Sequence, residues 1–179
     1  MRFHNSLSEN TAILVLWNGL VIIKLGANMK DNIEYHKGNL LDVKSGIIIH
    51  GVNAQGVFGS GVALAVKQRF PEAYQRYMLD YNDGSLRLGT SSYQRVEDNL
   101  YIANACTQEY YGRDGKRYVN YMAICSCFYK IFQWAKTQGY ACHFPKIGAG
   151  LGGGNWEVIQ QLINDCDPEN HVRKICWEL

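Results

Sequence analysis

His50 closes an apolar run, Gly46-Ile47-Ile48-Ile49-His50, and Asn53 follows three positions later at the head of a glycine-rich segment. An imidazole with a reference pKa of about 6.5 can take a proton from water or give one to a departing oxygen near neutrality. A carboxamide can donate to one hydroxyl and accept from another, which suits it to holding a sugar. Both residues also have plainer uses, the histidine satisfied by hydrogen bonds within a core and the asparagine capping its own loop. The segment Gly51-Val52-Asn53-Ala54-Gln55-Gly56-Val57-Phe58-Gly59-Ser60-Gly61 lies between a strand pattern and a helix pattern. There, glycines let the backbone approach a phosphate, and the N–H groups opening the next helix point at the anion. No Gly-Lys-Ser/Thr is present and the spacing is not GxGxxG, so neither common nucleotide loop applies; tight turns would use glycine too. Pro145 to Gly154 again joins a strand to a helix and places five glycines between positions 148 and 154. That density reads as serving close approach to a ligand rather than packing. Two such loops would face each other across a diphosphate and grip it through backbone donors.

The elements that must carry these loops alternate quickly. Ile33–His36 reads as a short strand and Gly46–His50 as a strand buried on both faces. Gly61–Phe70 reads as a helix closed by Pro71, with a second helix over Glu72–Tyr81. Strands are expected at Thr90–Tyr93, Leu100–Asn104, Tyr140–Phe144 and Val172–Trp177, and helices at Val119–Thr137, ended by Gly139, and at Trp156–Cys166. Strands alternating with helices point to a mixed or parallel sheet covered on both faces, with ligands bound where loops leave the carboxyl ends of strands.

Composition narrows the possibilities. The chain has 179 residues, 47% of them hydrophobic, enough for a sizeable core and incompatible with a disordered tail protein. Eighteen Lys and Arg against sixteen Asp and Glu leave a net charge of +2. That balance excludes affinity driven mainly by phosphate-backbone charge or by an acidic membrane surface, so there is no strong nucleic-acid signature and no membrane partner is expected. The cysteines at 106, 125, 127, 142, 166 and 176 form no CxxC pair and no metal spacing. They read as reduced core thiols, which implies a cytoplasmic setting and no metal site. Thr11–Leu25 is the most apolar stretch, but it is broken by Asn18-Gly19 and is shorter than the ~20 residues a spanning helix needs. Residues 1–28 are expected to be an extension, upstream of a start at Met29 or forming an ancillary apolar strand, with residues 29–179 as the functional domain. Oligomeric state is left open.

Three runs carry a family resemblance: Tyr35-His36-Lys37-Gly38-Asn39-Leu40-Leu41, Ile49 through Ala63, and Phe144-Pro145-Lys146-Ile147-Gly148-Ala149-Gly150-Leu151. In this order they resemble the macro domain, closest to the branch containing the yeast ADP-ribose 1″-phosphate phosphatase and the terminal ADP-ribose glycohydrolases. The resemblance covers Ile33 to Leu179. It implies an α/β fold, a three-layer α/β/α sandwich with a mixed central sheet, binding ADP-ribose or ADP-ribose 1″-phosphate across the strand ends without a cofactor. By position, Asn39 and Leu40 would lie at the adenine, where the family commonly has Asp after Gly. The backbone of Gly59, Ser60, Gly61 and Val62 would hold one face of the diphosphate and the distal ribose, and Gly148, Ala149, Gly150, Leu151 and Gly152 the other. Gln55, Thr107 and Ile147 would be further ligand contacts, Asn53 would bind the distal ribose, and His50 would align with a histidine of the yeast phosphatase.

The glycohydrolase branch resembles a lysine–aspartate mechanism. Here the corresponding strand end reads Asn104-Ala105-Cys106-Thr107-Gln108 and the loop position is Gly152, so both groups are missing. The implied activity is therefore removal of the 1″-phosphate, with His50 handling the proton and Asn53 fixing the ribose. Two alternatives stand beside it: a non-catalytic ADP-ribose-binding module, and removal of ADP-ribose from protein or nucleic acid. Thr107, Gln108, Tyr110, Lys116 and Arg117 lie on a segment that could close over a terminal phosphate, although Arg113-Asp114-Gly115-Lys116 would serve equally as a solvated turn.

Overall fold

The computed structural model describes residues 11–16, 19–24 and 31–178. It divides into two compact units, residues 1–31 and 32–179. In the first, β1 (Thr11–Leu16) and β2 (Gly19–Lys24) pair antiparallel, from Thr11 opposite Lys24 to Leu16 opposite Gly19. The expected start at Met29 lies outside the described residues.

The second unit is built on β4 (Gly46–Asn53), preceded by β3 (Ile33–Lys37) and a 3₁₀ turn over Leu40–Asp42. Every residue of β4 but Gly51 is buried, as a strand covered on both faces requires. After it come α1 (Gly61–Arg69), α2 (Pro71–Asn82), β5 (Ser91–Glu97), β6 (Leu100–Gln108), α3 (Tyr121–Gln138), β7 (Cys142–Pro145), α4 (Trp156–Asp165) and β8 (Lys174–Glu178). The sheet order is β3-β8-β7-β4-β6-β5, parallel except where β5 runs against β6. Side chains alternate across it and sort the core into two layers. Ile47, Ile49, Ala103 and Ala105 meet Phe128, Ile131 and Phe132 of α3, and Ile159 of α4. Ile48, Val52, Ile102 and Cys106 meet Val66 of α1, Ala73 and Tyr77 of α2, and Phe58. This is the expected α/β/α sandwich with a mixed sheet.

The shifts in boundary have physical causes. The long helix starts at Tyr121 rather than Val119 because Asn120 caps it, its Oδ1 accepting from Ala123 N at 3.0 Å, and it ends where Gly139 turns left-handed at φ +69°. Strand β6 runs four residues past the expected Asn104, since its pairing with β4 continues to Val52–Cys106 and Asn53–Gln108. The extension matters for function, because it carries Thr107 and Gln108 to the same edge as the two glycine loops. The six cysteines are buried and form no disulfide among the described residues. No helix among the described residues is long and apolar enough to cross a membrane.

Candidate functional site

From β4 the chain first builds outward to β5 and β6, then returns to β7 and β8 on the other side. Such a reversal of strand order opens a crevice at the carboxyl edge. The connections leaving β7, β4 and β6, three neighbouring strands, line one cleft of about 640 Å³. Its wall contains Asn53, Gly59, Ser60, Gly61 and Val62 from the first loop, Thr107 from β6, and Ile147, Gly148, Gly150, Leu151 and Gly152 from the second loop. Those eleven expected contacts are together. Gly51 also lines it, and a Cβ there would lie 2.9 Å from Thr107 Oγ1, so the floor needs a glycine.

The first loop is fixed by Asn53. Its Oδ1 accepts from Gln55 N at 2.9 Å and Val57 N at 3.3 Å, and its Nδ2 donates to Val57 O at 2.6 Å. Tyr77, fully buried, donates its hydroxyl to Asn53 O at 2.9 Å. Asn53 therefore does cap the loop while lining the cleft, and its second amide hydrogen is not engaged among the described residues. At the loop's end Ser60 occupies the N-cap of α1 in an extended conformation, but its side chain makes no capping hydrogen bond. The first N–H groups of α1 have no acceptor within the helix and point at the cleft with the helix dipole behind them.

The second loop is pinned from behind. Gly152 O accepts from Tyr118 N at 2.9 Å and Val119 N at 3.0 Å, and Gly154 N donates to Gly148 O at 2.9 Å. The N–H groups of Gly148, Gly150, Leu151 and Gly152 make no hydrogen bond among the described residues, which leaves a second row of donors for an anion. The glycines, however, do pack. A Cβ at Gly148, where φ is +76°, would lie 2.7 Å from Val119 Cγ2; at Gly152, 2.6 Å from Gly148 O; at Gly153, 2.7 Å from Lys116 O; and at Gly154, 2.6 Å from Val119 Cγ1. Only Gly150 of the five has open space around it. The reading of this run as ligand approach without packing is corrected: Gly148, Gly153 and Gly154 let the loop lie against Val119, Ile159 and the 116–117 backbone, and Gly152 lets it fold onto Gly148.

His50 is corrected as well. It does not line the cleft; it faces the α1/α2 layer with no exposed surface, its ring edge-on to Phe58. Asn104 donates through Nδ2 to Ala73 O at 3.0 Å and Ser92 Oγ at 2.9 Å, so its oxygen faces His50 Nε2 at 2.7 Å and the imidazole proton sits on Nε2. Nδ1 has no partner among the described residues. Burial pushes the imidazole pKa down to about 4, against the small upward pull of the Asn104 bond. A neutral ring sealed in the core cannot exchange protons with a ligand in the cleft.

Other expected contacts also fall elsewhere. Asn39 caps the 3₁₀ turn, its Oδ1 accepting from Leu41 N at 3.1 Å, and Leu40 is buried beneath it. This turn packs against β7, but neither residue lines the cleft, and neither do Gln55 and Ala149. Of the segment expected to close over a terminal phosphate, Gln108 lines the cleft beside Thr107 while Tyr110, Lys116 and Arg117 do not, and Tyr111 and Arg113 line it without having been expected as ligand contacts. The turn signal around Asp114-Gly115 is genuine, since Asp114 accepts from Lys116 N at 3.2 Å and Tyr118 OH at 2.8 Å. Turn signals do not say which way a neighbouring arginine faces.

Chemically, the cleft offers two rows of backbone donors, the hydroxyls of Ser60 and Thr107, amides, and the cations Arg113 and Lys146. No carboxylate, imidazole or thiol is among its lining residues.

A model of the family described as the macro domain matches residues 49–163. A Thermus aquaticus protein named DNA ADP-ribosyl glycohydrolase is 29% identical over 136 residues, which are 74% of this chain but only 37% of the relative. A Candida albicans protein named ADP-ribose 1″-phosphate phosphatase is 26% identical over 147 residues, 75% of this chain and 94% of the relative. A solved structure of a Bacteroides thetaiotaomicron protein of unknown function superimposes with a TM-score of 0.76 at 28% identity, covering 86% of this chain and all of that one.

Proposed function

Because the chain belongs to the macro domain family, we propose that its cleft holds ADP-ribose with the diphosphate between the two donor rows, and that it removes the phosphate from ADP-ribose 1″-phosphate. The observation that carries this reading is the composition of the cleft wall: many N–H and O–H donors, cations, and no carboxylate. Phosphoryl transfer passes through a loose transition state and is accelerated mainly by positioning and by stabilising charge on the equatorial oxygens, which such a wall supplies. Water adds to phosphorus, the bond from phosphorus to the 1″ oxygen breaks, and the proton of the attacking water ends on the departing ADP-ribose, giving ADP-ribose and inorganic phosphate. Asn53 would hold the distal ribose with its remaining amide hydrogen. Cleaving a glycosidic bond, by contrast, ordinarily takes a pair of carboxylates about the scissile bond. This cleft has none, and the strand end Ala105–Gln108 carries no lysine.

The same lack of an acid or base favours a second reading, an ADP-ribose-binding module without chemistry. A substrate panel separates the two. Phosphate release from ADP-ribose 1″-phosphate is expected, with none of ADP-ribose from modified protein or DNA. Tight ADP-ribose binding by calorimetry with phosphate release at background would establish the module, and release of ADP-ribose would move the activity to the chemistry named for the Thermus aquaticus relative.

A further inference from the structure

Four basic residues stand on or beside the cleft, and three of them are engaged. Lys146 Nζ is 2.7 Å from Glu178 Oε1, Lys116 Nζ is 2.9 Å from Asp114 Oδ2, and the Arg117 guanidinium lies over the Tyr121 ring, 4.8 Å from its centroid. Arg113 lines the cleft and makes no ion pair among the described residues. Its segment is held by more than its own turn. Tyr118 N and Val119 N both bond to Gly152 O, the backbone at 116–117 packs against Gly153, and Gln108 O accepts from Ala54 N at 3.0 Å. Arg113 therefore stands on a segment fastened to both glycine loops, on the third side of the space they enclose.

A diphosphate gripped by two rows of backbone donors has no need of a side-chain cation, so this guanidinium is surplus to ADP-ribose itself. A further phosphate monoester, dianionic and presenting three oxygens, is what a planar fork of N–H donors recognises best. The geometry points to Arg113 as the residue that discriminates a phosphorylated distal ribose from an unmodified one. The inference rests on the placement of ADP-ribose proposed above, and it makes Arg113 a specificity-determining contact rather than part of the diphosphate grip.

Two substitutions and two ligands test it. ADP-ribose affinity, by calorimetry, is expected to stay within about threefold of wild type in both Arg113→Ala and Arg113→Lys, because the diphosphate donors are backbone groups. For ADP-ribose 1″-phosphate, kcat/KM is expected to fall on the order of 100-fold in Arg113→Ala, with about tenfold recovered in Arg113→Lys, which restores the charge but not the fork. If the wild type releases no phosphate, the phosphatase reading fails, and Arg113 is then judged by equilibrium binding of the same uncleaved ligand. Wild type must hold ADP-ribose 1″-phosphate at least tenfold tighter than ADP-ribose, and Arg113→Ala must erase that preference. Equal loss for both ligands, or no loss for either, overturns the inference.

Discussion

His50 and Asn53 stand three residues apart on one strand, yet only one of them reaches the cleft. Asn53 sits where β4 passes into its loop, whereas His50 belongs to the face that meets α1 and α2 and is clamped between Asn104 and Phe58. A sequence can show that a histidine ends a buried strand, but not that its face is sealed by Phe58, eight positions downstream. Its place in the core has a consequence with a definite sign. The pKa of His50 is lowered by burial to about 4 in the folded chain against about 6.5 unfolded, so below pH 6.5 the unfolded chain binds the extra proton. The stability this imidazole contributes is complete above pH 6.5 and is lost as pH falls towards 4. His143 shares the trend, its pKa also lowered to about 4, first by burial and then by Arg173. Thermal denaturation at several pH values should therefore show Tm falling over this window, with a shallower fall in His50→Gln. In the same variant the pH profile of kcat/KM for phosphate release is expected to parallel wild type, keeping only the substrate phosphate's own ionisation near ~6. An inflection that disappears in His50→Gln would return that residue to the chemistry.

At the scale of elements, the three connections leaving β7, β4 and β6 form the site, and their legibility differed for physical reasons. The two glycine loops announced themselves by composition. The third was marked only through Thr107 and Gln108, because its strand pattern ends at Asn104 until the register with β4 extends it to Gln108. Glycine content alone also could not separate positions that face ligand from positions that face protein. Gly150 has nothing within 4 Å of where a side-chain methyl would sit and no left-handed φ, whereas Gly154 would press a methyl to 2.6 Å from Val119 Cγ1 and 2.9 Å from Ile159 Cδ1. Gly150→Ala is therefore expected to melt within ~2 °C of wild type while losing tenfold or more in ADP-ribose affinity, as a methyl enters ligand space. Gly154→Ala should lose roughly 1–3 kcal/mol of stability through overpacking. Calorimetry alongside thermal denaturation reads both; a Gly150→Ala protein of unchanged affinity would remove this donor row from the site.

At the scale of the whole molecule, the alternation of strands and helices and the buried run of β4 were enough to read a covered sheet. The strand order is long-range and was not legible; the family resemblance implied only a mixed central sheet within an α/β/α sandwich. The net charge of +2 fits the proposed site, whose diphosphate would be held by backbone donors at strand and helix ends, with Arg113 kept for a further phosphate. The claim that holds these scales together is that two rows of main-chain N–H groups grip a diphosphate. Titrating ¹⁵N-labelled protein with ADP-ribose and following the amide resonances tests it most directly. The largest shifts are predicted at Gly59–Val62 and Gly148–Gly152, with His50 and its surroundings in the core little changed. Shifts clustered elsewhere, or none at millimolar ligand, would contradict it.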